Sequence, residues 1–210
     1  MDKRQDFIDR FYDQFKKIFP HLTVEEFIDY YDESIYSGYP QEPGGSVWES
    51  EGKSIYVLTR IIKPKRVIEI GNFLGRSSNH ILQAIEKNGI GEVVLVDLIE
   101  RLQYEKLHNR NFERVIDDSL NYLATAKLNF DLIIHDGCHE YKHVNKELGL
   151  LISRTEVDFY IWSHDWFVDS PPICEVQRAW KNYIDKFEHY EPMIDSISDC
   201  GFVIGKFKKK

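Results

Sequence analysis

The chain has 210 residues, 42% of them hydrophobic and 30% charged, the make-up of one soluble globular domain with room for a small extension. A formal net charge of −8 argues against nucleic acid as a partner, and no apolar run approaches the ~20 residues that cross a bilayer, which argues against a membrane role. Cys138, Cys174 and Cys200 are odd in number and include no CxxC pair, so no disulfide framework is expected and a reducing, cytoplasmic setting is. The N-terminal stretch MDKRQDFIDRFYDQF lacks the apolar core of a secretion signal.

Phe7, Ile8, Phe11, Phe15, Ile18 and Phe19 recur at helical spacing, which predicts a helix over 3–19 that Pro20 ends. Thr23 with Glu26 forms a capping-box pattern at the start of a second helix. SGYPQEPGG at 37–45 is turn chemistry. Residues 1–45 read as an N-terminal helical extension and 46–210 as the main domain. From residue 47 the pattern alternates helix and strand. Helices are expected over 47–62, 77–88, 100–110, 118–127, 140–152 and 173–187. Strands are expected over 66–70, 92–97, 114–116, 130–135, 157–163, 189–195 and 201–207. This alternation predicts an α/β, Rossmann-like, doubly wound sheet of seven strands, mostly parallel, with helices on both faces. The final strand pair is too closely spaced for a crossover helix, so the last strand is expected to be antiparallel.

In such a sheet, ligands bind outside the carboxyl ends of the strands. The first of these ends reads Glu69-Ile70-Gly71-Asn72-Phe73-Leu74-Gly75. Gly71 and Gly75 permit a tight turn and close approach by a ligand. A dinucleotide fingerprint, GxGxxG, would place a glycine where Phe73 stands, so the turn suits a ligand without a pyrophosphate. Asp97 ends the next strand, where a carboxylate can accept from ribose hydroxyls. Together the two features point to a nucleoside-bearing ligand; each alone is also ordinary turn chemistry.

The stretch EGKSIYVLTRIIKPKRVIEIGNFLGRSS resembles the catechol O-methyltransferase-like branch of class I methyltransferases. FDLIIHDGCHEY resembles the D-G-x-H-x-Y motif of small-molecule O-methyltransferases related to macrocin O-methyltransferase, and IWSHDWF looks like the next strand end of that group. The resemblance spans roughly residues 47–205 and implies S-adenosyl-L-methionine as cofactor. It implies that Val47, Glu69, Gly71 and Ser77 border the methionine moiety and Asp97 the ribose. Asp118 and Ser119 would flank the adenine, and Asp136 the sulfonium. Ser77 and Ser119 are equally good helix caps. An unpartnered carboxylate inside a strand, as at Glu69, is costly and less easily explained structurally.

Methyl transfer to a hydroxyl needs an aligned methyl group, a base and a counter to developing charge. By the resemblance, His139 matches the general base and Asp136 and Asp165 match two divalent-metal positions. An imidazole suits a base near neutral pH. Carboxylates suit Mg²⁺, but His164 stands where an acidic ligand is expected, which puts that ion in doubt. His164 would then help deprotonate the substrate or cap its strand. The expected acceptor is a small molecule, a sugar or phenol hydroxyl, walled by Trp166, Phe167, Tyr36, Tyr39 and Trp48. Neither a nucleic acid nor a membrane is expected as partner, and a homo-oligomer is compatible with the sequence. Three other readings stay open. HEYKH at 139–143 is a literal H-E-x-x-H, the zinc metalloprotease signature, which would place His143 beside His139 on one helix face. A non-catalytic nucleoside-ligand-binding Rossmann domain and a nicotinamide-dependent oxidoreductase are the others.

Overall fold

The structure is a computed structural model that describes residues 3–35, 47–109, 111–168, 170–171, 173–194 and 200–209. Short apolar runs such as EVVLVD can be buried on both faces only as central strands, and they form the middle of the sheet. The strands are β1 (Arg66–Ile70), β2 (Glu92–Asp97), β3 (Glu113–Ile116), β4 (Leu132–His135), β5 (Phe159–His164), β6 (Phe187–Met193) and β7 (Phe202–Phe207). They make a 7-stranded sheet in the order β3-β2-β1-β4-β5-β7-β6. The pairs β1–β2, β1–β4, β2–β3 and β4–β5 are parallel, and β7 runs antiparallel to both β5 and β6. The expected architecture is therefore present. The chain winds outward from β1 in both directions, so the crevice of the switch point opens between β1 and β4.

The helices are α1 (Lys3–Ile18), α2 (Val24–Glu33), α3 (Glu49–Ile62), α4 (Arg76–Asn88), α5 (Ser119–Thr125), α6 (Tyr141–Arg154) and α7 (Val176–Trp180). One core layer joins Ile55, Leu58, Ile81 and Leu82 of α3 and α4 to Val67, Leu95 and Ile134 of the sheet. The other joins Leu123, Val144, Leu148 and Trp180 to Ile68, Val94 and Ile133. Successive strand residues thus face opposite layers, as the pleat requires. Phe7, Phe11 and Phe15 of α1 are buried in the first layer, and Phe11 lies 5.5 Å from the Phe202 ring of β7. Each such side chain stabilises the contact by about 1.5–3 kcal/mol. The Thr23–Glu26 capping box starts α2 as its spelling predicts.

Two expected helices are largely missing. Over the described part of that segment, 100–109, the chain forms only a short 3₁₀ turn at Tyr104–Lys106. Its amides are taken elsewhere: Gln103 N donates to Leu74 O (3.1 Å) and His108 N to the Asn79 side chain (2.6 Å). Over 173–187 only α7 and a 3₁₀ turn at Ile184–Lys186 form. Beyond α7, Asn182 donates to Tyr141 Oη and Asn145 Oδ1, and the Tyr183 hydroxyl donates to Asn145 O. These anchors pin the chain to α6 and end the helix early. Among the described residues no helix is long and apolar enough to cross a membrane.

Candidate active site

β1 delivers the glycine turn to the crevice. Gly71 has φ +83°, and a Cβ there would lie 2.0 Å from the carbonyl oxygen of Asp136, so any side chain would collide with backbone. Gly71 N donates to Val96 O and Asp136 N to Ile70 O, both at 2.9 Å, which ties the ends of β1, β2 and β4 together. Gly75, at φ +96°, leads into α4. Glu69, one residue before the strand end, is fully buried. The Ser78 hydroxyl donates to its Oε2, whereas its Oε1 has no hydrogen-bond partner among the described residues. Burial raises this carboxyl to about 7, with Asp136 and Asp97 adding to the rise and Ser77 and Ser78 opposing it. An orphaned buried acceptor costs on the order of 1–3 kcal/mol and is where a ligand's donor would be gained.

The neighbouring strand ends carry the other expected cofactor residues. Asp97 closes β2, and its carboxylate accepts from Phe73 N (2.8 Å) and Ile99 N (3.2 Å), locking it to the glycine turn. Each oxygen keeps a lone pair for a further donor. Asp118 caps α5 by accepting from Leu120 N at 2.8 Å. Val47 is buried in the first core layer just ahead of α3.

Ser119 does more than flank that turn. Its hydroxyl donates to Glu147 Oε1 at 2.5 Å and lies 2.9 Å from His143 Nε2. Glu147 Oε2 meets His135 Nε2 at 3.0 Å, and His135 Nδ1 lies 3.1 Å from Ser163 Oγ, which also accepts from Trp180 Nε1. Burial would raise the Glu147 carboxyl, but the His135 imidazole outweighs it, with hydrogen bonds from His143 and Ser119 adding, and holds it low. This polar web joins β4, β5, α5 and α6, and sequence reading missed Glu147 and His135. The signal was there: Glu147 falls on the apolar stripe of α6 between Val144 and Leu151.

The ends of β4 and β5 bring Asp136, His139, His164 and Asp165 together. His139 Nε2 lies 3.4 Å from Asp136 Oδ1 and 3.2 Å from Asp165 Oδ2. His164 Nδ1 lies 3.1 Å from Asp136 Oδ1, and its Nε2 lies 3.1 Å from Oε2 of Glu51, a fully buried residue on α3 that also accepts from Trp48 N. Burial works against a charged His164, but the Asp136 and Glu51 carboxylates prevail and hold its pKa well above the usual value. For Asp136, burial is likewise outweighed by His164 and His139, and its carboxyl sits well below the carboxylate range. For His139, burial is overcome by the Asp136 hydrogen bond and the Asp136 and Asp165 charges, so its pKa is raised. With carboxylates within 3.1 Å of both nitrogens, His164 is held toward its charged form; His139 keeps a part-exposed edge.

That arrangement decides several expectations. His139 precedes α6, whose cap is Glu140, and His143 turns to Ser119 and Glu147, so HEYKH does not present two histidines on one helix face. A hard Mg²⁺ does not fit Asp136 and Asp165, because His164 supplies the cation beside Asp136 and offers nitrogen where oxygen is wanted. Trp166 is not a wall of the crevice: it is buried against Trp180 at 5.7 Å, while Phe167 is exposed and Trp48 half-buried. Tyr36 and Tyr39 lie outside the described residues.

A doubly wound sheet of this strand order, with a nucleoside-type turn after β1 and an acidic end to β2, defines the class I methyltransferase fold. Residues 68–166 match a family described as a methyltransferase domain. The fold resembles the O-methyltransferase from Bacillus cereus in complex with SAH (TM-score 0.65, 16% identity, covering 93% of this chain and 96% of that one). It also resembles the O-methyltransferase TomG from Streptomyces achromogenes, involved in tomaymycin synthesis, in complex with SAM (0.64, 13%, 100% of each chain). A third likeness is the 1,6-didemethyltoxoflavin-N1-methyltransferase of Burkholderia thailandensis with that compound and S-adenosylhomocysteine bound (0.56, 14%, 77% and 79%). A search of curated proteins found no significant match. These likenesses show that the chain has the methyltransferase fold, and its residues 68–166 match the methyltransferase-domain family.

Proposed function

We propose that the protein methylates a hydroxyl of a small molecule, a sugar or a phenol, with residues 46–210 carrying the reaction and 1–45 as its helical extension. The observation that carries this reading is the pairing of two features on adjacent strands. At the end of β1, buried Glu69 offers an acceptor with no partner. At the end of β4, His139 stands with a part-exposed imidazole between two carboxylates. The O-methyltransferase likenesses support the oxygen acceptor, and the 1,6-didemethyltoxoflavin bound to the N1-methyltransferase supports a small molecule. The absence of disulfides among Cys138, Cys174 and Cys200 supports a cytoplasmic setting.

The donor set fits S-adenosylmethionine. Glu69 Oε1 and the backbone beside Gly71 would receive the methionine ammonium, Asp97 the ribose hydroxyls, and the turn at Asp118 and Ser119 the adenine. The cofactor supplies an electrophilic methyl group. The protein's own residues do the rest. His139 takes the hydroxyl proton, and Asp136 and Asp165 stabilise the imidazolium that forms. His164, held by Glu51 and Asp136, orients Asp136 and balances its charge without exchanging a proton with the acceptor. No step needs Mg²⁺.

Calorimetric titration with S-adenosylmethionine, S-adenosylhomocysteine and NAD tests the cofactor, followed by a tritiated-methyl assay over sugars and phenols. Tight binding of the first two and label in an ether product are expected. Preference for NAD would favour an oxidoreductase, and binding without turnover on any acceptor would favour a non-catalytic domain.

A further inference from the structure

His139, Asp165 and Cys174 offer an imidazole nitrogen, a carboxylate oxygen and a thiol sulfur that all lie within 4.8 Å of one another. Three segments deliver them: the loop after β4, the end of β5, and the loop before α7. The assembly is held by the backbone. Glu175 N donates to His139 O at 2.8 Å, which lashes the residue after Cys174 to His139. Ser170 and Cys174 form a β-bridge, with Ser170 N donating to Cys174 O (3.2 Å). Asp165 itself adopts φ +56°, a left-handed conformation unusual for a residue with a side chain. Cys174 is 3% and Asp165 9% exposed, while His139 keeps an exposed edge through which an ion could enter.

We infer that His139, Asp165 and Cys174 form a binding site for a borderline-soft divalent cation of the zinc class. One nitrogen, one sulfur and one oxygen ligand is a set that selects zinc or cobalt and disfavours magnesium and calcium. Burial holds the Cys174 thiol up, so it is protonated in the empty site; the ion displaces that proton to solvent on forming the metal–sulfur bond. His139 gives the ion a ring-nitrogen lone pair and releases any proton held on that nitrogen to solvent. Because the proposed reaction needs the same imidazole as its base, loading the site silences methyl transfer. That last consequence rests on the function proposed above; the site itself does not. His143 is no part of it, being engaged by Ser119 and Glu147.

The test is a Co²⁺ titration of the full chain after chelator treatment, followed by optical absorption. A thiolate-to-cobalt charge-transfer band in the near ultraviolet, displaced by Zn²⁺ but not by about a hundredfold excess of Mg²⁺, is expected. Cys174→Ser and His139→Ala should each weaken Zn²⁺ binding by about tenfold or more. His143→Ala should leave the band intact. His139 is part-exposed, so its variant reads the site even if Cys174→Ser fails to fold. Absence of Co²⁺ binding, or a band that survives Cys174→Ser, overturns the assignment. If the band behaves as expected but no acceptor is ever methylated, the site stands and the function proposed above falls.

Discussion

Glu69→Gln isolates the cost of the charge buried behind the glycine turn. The substitution keeps the side chain's shape and the acceptor for Ser78 while removing the titration. In the folded protein the carboxyl is pushed up to about 7, from an ordinary value of 4.5. Below 4.5 the folded and unfolded chains both hold the proton, and the residue contributes no pH dependence. Between 4.5 and about 7 the unfolded chain loses a proton that the folded chain keeps, so stability falls as pH rises. A gap of about 2.5 pH units at ~1.4 kcal/mol each removes about 3 kcal/mol by about pH 8. Glutamine escapes that loss. Its amide places a donor where Oε1 had no partner, at a cost of ~1–3 kcal/mol that does not vary with pH. The difference between variant and wild type should therefore move by about 3 kcal/mol in favour of glutamine from about pH 4.5 to about pH 8, the other titrating groups cancelling. Urea denaturation at both pH values reads it from the midpoints, provided the slopes agree. A difference constant to about 0.5 kcal/mol would refute the assignment of a buried, raised carboxyl.

Gly71→Ala should cost about 3 kcal/mol or more, since it combines a positive φ with a Cβ 2.0 Å from the Asp136 carbonyl; an unchanged thermal midpoint would show that the β1 and β4 ends are not so closely joined. Asp97→Ala should weaken S-adenosylhomocysteine at least about tenfold by calorimetry, the value of a lost charged hydrogen bond, and equal affinity would dismiss the ribose role. His139→Ala should cut turnover by ~10²-fold while sparing cofactor affinity; wild-type rates in that variant would move the base elsewhere.

The sheet was legible because its strands are short apolar runs between turn residues. β1 and β2 match their expected limits, and Gly89 closes α4 with φ +67°. The 100–110 and 173–187 segments were not legible as turns. Their composition suits a helix, and what unwinds them is hydrogen bonding to α4 and α6, which lie far away in sequence. The crevice residues Glu69, Asp97, Asp136, His139 and Asp165 could be picked out because strand ends are few and polar residues there stand out. The partners of His164 could not. Glu51 comes from a helix more than a hundred residues earlier and reaches the site only through the fold. His164 therefore read as a spare base, when three dimensions make it a counter-ion.

The outer strands of the sheet carry one more consequence. β3 has only 4 residues, and among the described residues β6 is unpaired on its outer side. β6 breaks register with β7 between Phe187 and His189, holds Glu188 and Glu191, and includes Pro192, whose ring nitrogen has no hydrogen to give. A bulge, charges and a proline are the devices that stop a sheet from recruiting another chain's strand. At concentrations where a flat, unguarded edge would seed fibrils, both ends of this sheet are poor templates for strand addition.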